Sequence, residues 1–310
     1  MKFAFVMPGQ GSQSLGMMAA YGDKPVIRAT FDEASGALGR DLWQLVHEGP
    51  AELLSQTVNT QPLMLAADIA VWRLWLDLGG PAPAMLAGHS LGEYAALVAA
   101  GVLDLKDAVP LVELRARAMQ EAVPAGTGAM AAILGLDAEK VQAACAASAQ
   151  GEVVEAVNFN SPEQTVIAGH KAAVERAAEA CKAAGAKRAV MLPVSAPFHS
   201  ALMRPAAERL QAALEKIEFR TPAIPVVNNV DVAISSDPAA IKDALVRQAA
   251  SPVRWVETMR AMQAAGITHV FECGPGKVLA GLTKRCADGL AGGALNDLAA
   301  LESTLATVKG

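Results

Sequence analysis

Ala84-Met85-Leu86-Ala87-Gly88-His89-Ser90-Leu91-Gly92-Glu93-Tyr94-Ala95-Ala96-Leu97 is the stretch that decides the architecture of this chain. Ala84 to Gly88 is a short apolar run of the fully buried strand type, and from Leu91 the pattern turns helical. Between them stands Gly-X-Ser-X-Gly. A strand that passes directly into a helix turns so sharply that backbone touches backbone on both sides. Small residues are needed there, and the turn lifts the serine hydroxyl above the sheet edge. An ordinary loop can also carry a serine between two glycines, so it is the flanking strand and helix that make the match specific. The apolar character continues from Met85 to Leu103, but His89, Glu93 and several glycines make this a poor bilayer span.

Upstream, Phe3 to Met7 is an apolar run ending at Pro8-Gly9, which predicts a buried strand feeding a Gly-rich loop, Gly9 to Gly16. The run is too short for the core of a signal peptide. Helical spacing covers Pro25 to Leu38 and Gln61 to Leu78. Downstream of the central stretch, Asp107 is the expected cap of a helix that carries Pro110 in its first turn and runs to about Ala122. Pro124, Gly126 and Gly128 then mark a boundary.

From Ala129 the pattern changes. Strands at Met130–Leu136, Val153–Phe159, Thr165–Ala168 and Ala189–Val194 alternate with helices at Asp137–Ala147 and Ala172–Ala184, the β-α-β-β-α-β order of a ferredoxin-like fold. After Pro193 the α/β character resumes, with a helix at Ala201–Ile217, a strand at Ile224–Asn228, helices around Pro238–Ala250 and Val256–Ala265, and a strand at His269–Cys273. The Ala-Gly run after Gly289 is expected to be a loop before a terminal helix. The fold class is therefore α/β: a large, discontinuous, α/β-hydrolase-like domain with a mainly parallel sheet (1–125 and 197–310), and a small inserted ferredoxin-like domain (126–196).

The 310 residues suffice for such a pair, and 53% hydrophobic against 18% charged residues excludes a disordered chain. A net charge of −5 argues against nucleic acid as a partner. Cys145, Cys181, Cys273 and Cys286 are widely spaced, which suggests neither a zinc site nor a disulfide framework and fits reduced thiols in the cytoplasm. A soluble cytoplasmic monomer without membrane partners is expected.

A serine hydroxyl needs a base to act as a nucleophile at neutral pH. Of His47, His89, His170, His199 and His269, His89 adjoins Ser90 on the turn and is assigned to supporting the loop. His199, in Ser195-Ala196-Pro197-Phe198-His199-Ser200, stands where the chain re-enters the large domain, and is the preferred base. Glu155 and Glu163 lie between serine and histidine, where a third, acidic member would be sought. Each reads more simply as a solvated charge, and a backbone carbonyl can hold a histidine tautomer instead. A Ser-His dyad is expected, with the N–H of Leu91 at the helix start directed toward the oxyanion.

Taken together, Pro8-Gly9-Gln10-Gly11-Ser12-Gln13, Gly88-His89-Ser90-Leu91-Gly92-Glu93, Val112-Glu113-Leu114-Arg115, Asn158-Phe159-Asn160-Ser161-Pro162, Ala196-Pro197-Phe198-His199-Ser200 and Glu272-Cys273-Gly274-Pro275-Gly276 carry a resemblance over essentially the whole length. The chain resembles the malonyl-CoA:acyl-carrier-protein transacylases of dissociated fatty-acid synthesis and the acyltransferase domains of polyketide synthases. The resemblance implies Ser90 as the acylated residue, His199 as base, and the backbone N–H groups of Gln10 and Leu91 as the oxyanion hole. It also implies that the carbonyl of Gln248 orients the histidine and that Arg115 grips a malonyl carboxylate. An arginine suits that task because its guanidinium is planar and bidentate; seen alone, Arg115 is a routine charge on a helix.

Phe198 resembles the malonyl-selective pattern, its ring crowding substituents on the acyl α-carbon. His89, Asn158 and Asn160 are further candidates for lining the substrate site. The implied reaction is ping-pong transfer from malonyl-CoA to the phosphopantetheine thiol of acyl carrier protein. The substrate is a coenzyme A thioester, and no metal or redox cofactor is needed. Lys182, Lys187, Arg188, Lys277, Lys284 and Arg285 are candidates for docking an acidic carrier. A thioesterase or esterase with the same pair, or a polyketide-pathway malonyl transferase, is the alternative. Nucleotide binding is disfavoured: Ser14 replaces the third glycine after Gly9-Gln10-Gly11, and Gly274-Pro275-Gly276-Lys277 lacks the rest of a phosphate loop.

Overall fold

The computed structural model describes residues 1–194 and 196–310; Ser195, which opens the stretch quoted for His199, lies outside the described residues. Among the described residues, nine strands form two sheets: β1 (Phe3–Met7), β2 (Met85–Gly88), β3 (Gly128–Leu134), β4 (Val154–Ser161), β5 (Gln164–His170), β6 (Arg188–Met191), β7 (Val226–Val227), β8 (His269–Glu272) and β9 (Ala291–Ala294). The first sheet has the order β7-β2-β1-β8-β9 and is parallel throughout. The second, in the order β4-β5-β3-β6, is antiparallel, the ferredoxin-like arrangement.

β1 shows why the first sheet is covered on both faces. Phe3, Phe5 and Met7 pack into one apolar cluster while Ala4 and Val6 pack into another, the two-residue alternation of a strand. On the first face, Phe3 and Phe5 meet Trp75 of the helix Thr57–Asp77 edge-on, with centroids 6.1 and 5.0 Å apart. That helix is buried along almost its whole length.

The antiparallel sheet is also joined to the segment between the helices Pro238–Ala249 and Trp255–Ala264. Asn158 of β4 bridges Val253, with Phe159 N donating to the Val253 carbonyl at 3.0 Å and Val253 N donating to the Val157 carbonyl at 2.8 Å.

Three expectations are corrected. The run after Gly289 is not a loop: Ala291–Ala294 pairs in parallel with β8 as an edge strand, because backbone hydrogen bonds need no β-branched side chains. The helix expected to be capped by Asp107 begins at Leu105 after Asp104, so Pro110 stands inside it rather than in its first turn. The helix expected over Ala201–Ile217 is a 3₁₀ turn, Ala201–Met203, followed by a helix at Arg204–Leu214. Pro205 has no N–H with which to continue the preceding turn, so it opens the α-helix instead.

Candidate active site

Loops at the carboxyl ends of neighbouring parallel strands converge on one cavity of about 290 Å³, the usual location of a site on such a sheet. The loop after β1 brings Gly9 and Gln10, the turn after β2 brings His89, Ser90 and Leu91, and the helix Val278–Cys286 beyond β8 adds Val278, Leu279 and Leu282. The opposite wall comes from the antiparallel sheet: Met130, Ala132, Asn158, Asn160 and Val166, with Leu192, Val194 and Phe198 beyond it.

The turn after β2 is as tight as its glycines suggest. A Cβ on Gly88 would fall 1.9 Å from the Gly92 backbone, and one on Gly92 would fall 2.0 Å from the Met7 carbonyl. Ser90 itself has φ 52°, and His199 has φ 64°. Left-handed backbone at a non-glycine residue costs about 1–3 kcal/mol and survives only where its surroundings impose it. Both members of the expected pair are held this way.

Ser90 Oγ lies 2.7 Å from His199 Nε2. The other ring nitrogen, Nδ1, lies 2.8 Å from the Gln248 carbonyl. A carbonyl only accepts, so Nδ1 carries the proton and Nε2 presents its lone pair to the serine. His199 is 4% exposed. Burial, then the nearby Arg115 charge, push its pKa down to about 3, keeping the ring neutral. Neither Glu155 nor Glu163 approaches this ring: Glu155 accepts from Ala201 N at 2.8 Å, and Glu163 is 3.9 Å from Lys187.

Arg115 is not a surface charge. It is 1% exposed, with Nη1 donating to Gln61 Oε1 at 2.8 Å and Nη2 donating to Ser90 Oγ at 3.1 Å and Gln248 Oε1 at 3.0 Å. Its guanidinium lies over the Tyr94 ring, 5.4 Å from the centroid. Among the described residues all its hydrogen-bond acceptors are neutral, so a full positive charge stands beside the cavity with no carboxylate among them bonded to it. Burying a cation in this way is costly unless an anion completes it.

His89 Nε2 is 2.7 Å from Asn160 Oδ1, and burial lowers the pKa of the ring. The pair ties the turn to β4, while Asn158 and Phe198 line the cavity. Gln10 also lines it, its side chain donating to Thr57 Oγ1 at 3.2 Å. Leu91 is the residue at which the helix Gly92–Ala99 begins.

Three contributors were missed by sequence reasoning: Gln61, Asn229 and the side chain of Gln248. Asn229 is fully buried; its Oδ1 accepts from Ser90 N at 2.8 Å, and its Nδ2 donates to the Gly88 carbonyl at 2.7 Å. Its position two residues beyond β7, at the carboxyl end of a parallel strand, was the available signal.

A serine on a strand-to-helix elbow with a neutral histidine and a buried arginine at the same hydroxyl fits one class of protein, an α/β acyltransferase. The chain belongs to the acyl transferase domain family, whose model matches residues 4–288. It is 59% identical over 305 residues to the malonyl CoA-acyl carrier protein transacylase of Salmonella typhimurium, covering 98% of this chain and 99% of that protein. Among solved structures it superposes on an acyl carrier protein S-malonyltransferase from Vibrio cholerae with a TM-score of 0.96, at 59% identity, covering 98% of this chain and all of that one. It also superposes on a malonyl-transacylase in complex with its type II PKS acyl-carrier protein, with a TM-score of 0.98, at 57% identity over 99% of this chain and all of that one.

Among the described residues no helix is long and apolar enough to cross a membrane, and no group of three or more His, Cys, Asp and Glu side chains is arranged to hold a metal ion.

Proposed function

We propose that the protein transfers malonyl from malonyl-CoA to the phosphopantetheine thiol of an acyl carrier protein, supplying fatty-acid synthesis in the cytoplasm as a monomer. One observation carries this reading: Ser90 Oγ is within hydrogen-bond distance of both a neutral histidine and a buried arginine. The malonyl carboxylate takes the Arg115 N–H groups that face the cavity and places the thioester carbonyl at Ser90. His199 Nε2 accepts the hydroxyl proton as Ser90 Oγ bonds to the carbonyl carbon. The backbone N–H groups of Gln10 and Leu91 hold the oxyanion. The tetrahedral intermediate collapses with loss of the coenzyme A thiolate, which His199 protonates. The carrier thiol then reverses these steps on the acyl-serine. Phe198 limits bulk at the acyl α-carbon.

For the carrier, the reading points to the rim of the cavity. Lys277, Lys284 and Arg285 are exposed on or beside the helix Val278–Cys286, and Arg188 is exposed on β6, which also exposes the apolar Val190 and Met191. Lys182 and Lys187 are less available, being ion-paired with Glu179 and Glu163 at 2.7 and 3.9 Å. The similarity to a transacylase in complex with a type II PKS acyl-carrier protein favours a second reading, in which the carrier belongs to that pathway; comparing transfer rates to the two kinds of carrier separates them.

The deciding experiment is intact-mass spectrometry after mixing with malonyl-CoA. A malonyl adduct is expected, and Ser90→Ala is expected to abolish it. An adduct that persists in the variant removes Ser90 from the mechanism. Rapid release of malonate to water with no transfer to carrier would make the protein a thioesterase.

A further inference from the structure

Glu93 ends the elbow motif and has no part in the chemistry above. It stands in the first turn of the helix Gly92–Ala99 and is 2% exposed. Two donors converge on one of its oxygens: Gln248 Nε2 and the backbone N of Asn229, each 2.9 Å from Oε2. Gln248 connects onward in three directions. Its Nε2 also donates to the Ser90 carbonyl at 3.0 Å, its Oε1 accepts from Arg115 Nη2 at 3.0 Å, and its own carbonyl accepts from His199. Asn229 returns to the elbow through Ser90 N and the Gly88 carbonyl.

A primary amide can turn end for end with little change of shape, exchanging an acceptor for a donor. Turned round, the Gln248 amide would point its NH₂ at the Arg115 guanidinium, donor against donor, in a buried setting where an unmet group is costly. What holds it the right way is a pair of acceptors on the nitrogen side: the Ser90 carbonyl, which any residue at that position would supply, and Glu93 Oε2.

We propose, resting on the roles of Ser90, His199 and Arg115 given above, that Glu93 is a positioning residue for acyl-group selection. Its carboxyl oxygen fixes the Gln248 amide, and through that amide the attitude of the Arg115 guanidinium toward a carboxylated acyl group. The task requires an acceptor rather than a charge. Burial raises the Glu93 carboxyl to about 7, opposed by the Gln248 and Asn229 hydrogen bonds and by Arg115. With both donors on Oε2, a proton on Oε1 leaves the arrangement intact.

The test is rapid-quench measurement of acyl-Ser90 formation from malonyl-CoA and from acetyl-CoA, in the full chain and in Arg115→Ala, Glu93→Leu and Glu93→Gln. The readout is the malonyl-to-acetyl ratio within each preparation, so any loss of folded protein cancels. Glu93→Leu is expected to lower the ratio about tenfold, the loss of one hydrogen bond to a charged group. Glu93→Gln, whose amide oxygen can replace Oε2, is expected to restore it to within about threefold of the unsubstituted protein, as a buried neutral isostere that keeps the acceptor. Equal losses for both acyl groups in Glu93→Leu would show a structural role only and overturn the proposal, as would a Glu93→Gln ratio no better than that of Glu93→Leu. A ratio abolished by Arg115→Ala but untouched by Glu93→Leu refutes the Glu93 proposal alone. An unsubstituted protein without malonyl preference, or one whose preference survives Arg115→Ala, refutes the reading of the site beneath it.

Discussion

The two sheets contribute to the cavity in opposite ways. The parallel sheet and its helices supply the charged and hydrogen-bonded groups: Ser90 beyond β2, Asn229 beyond β7, Arg115 on the helix Leu105–Glu121 and Gln248 on the helix Pro238–Ala249. The antiparallel sheet and the chain leaving it supply mainly an apolar wall, Met130, Ala132, Val166, Leu192 and Val194, with Asn158 and Asn160 as its polar members. Parallel strands deliver their loops to one edge, where groups from distant parts of the sequence can be fixed against one another. An antiparallel sheet presents a broad face. Chemistry and containment are thus divided between two architectures, and substitutions on the two sides should fail differently.

The largest effect after loss of the serine is expected on the parallel side. His199→Ala should slow acylation by about a hundred- to ten-thousand-fold, the usual contribution of a positioned general base, with little change in KM for malonyl-CoA. A change confined to KM would break the division.

Arg115→Ala should cost about ten- to a hundredfold in kcat/KM for malonyl-CoA, while acetyl-CoA gains relative to it. Competition between the two thioesters measures this directly, and an unchanged preference would remove the carboxylate from Arg115.

On the antiparallel side, Leu192→Ala should raise KM about fivefold with kcat almost unchanged, the loss of roughly 1 kcal/mol of apolar contact. A fall in the acylation rate of tenfold or more would show that the wall does more than contain.

The smallest expected effect is in acid. An imidazole with an ordinary pKa near 6.5 would lose about 25-fold in its basic form between pH 7 and pH 5. His199, at about 3, should lose almost none, so single-turnover acylation should stay level across that interval. The same shift appears in stability. The unfolded chain binds a proton at His199 that the folded protein refuses, so this contribution is present above about pH 6.5 and is lost as pH falls toward about 3. Glu93, raised to about 7, acts in the opposite sense: its contribution is present below about pH 4.5 and is lost as pH rises through 7. Denaturation midpoints for Glu93→Gln and the unsubstituted protein should therefore converge in acid, draw apart between about pH 4.5 and about pH 7, and keep a constant gap above that.

Much of this was legible in the sequence because it rests on local rules. The elbow is written in two glycines that cannot carry a Cβ, and the antiparallel sheet in four strand-like runs and two helices that follow the β-α-β-β-α-β order. β9 was not legible, since Ala291-Gly292-Gly293-Ala294 has a loop's composition and becomes a strand only because β8 offers it an unpaired edge. In the site, Ser90 and His199 could be found from residue chemistry and position. The burial of Arg115 could not be read from a helix that looks amphipathic from one end. Gln61, Asn229 and the Gln248 side chain were invisible for a related reason: neutral amides carry no signal until the fold brings them to a partner. The left-handed backbone of Ser90 and His199 was equally hidden, as neither is a glycine.

The bridge between Asn158 and Val253 reaches further than its two hydrogen bonds suggest. Val253 follows Gln248 by only five residues, and the Gln248 carbonyl is the tether of His199. A tilt of the antiparallel layer away from its neighbour would be transmitted along that short segment to the imidazole. Opening the mouth of the cavity and tuning the reactivity of the serine would then be one mechanical event rather than two.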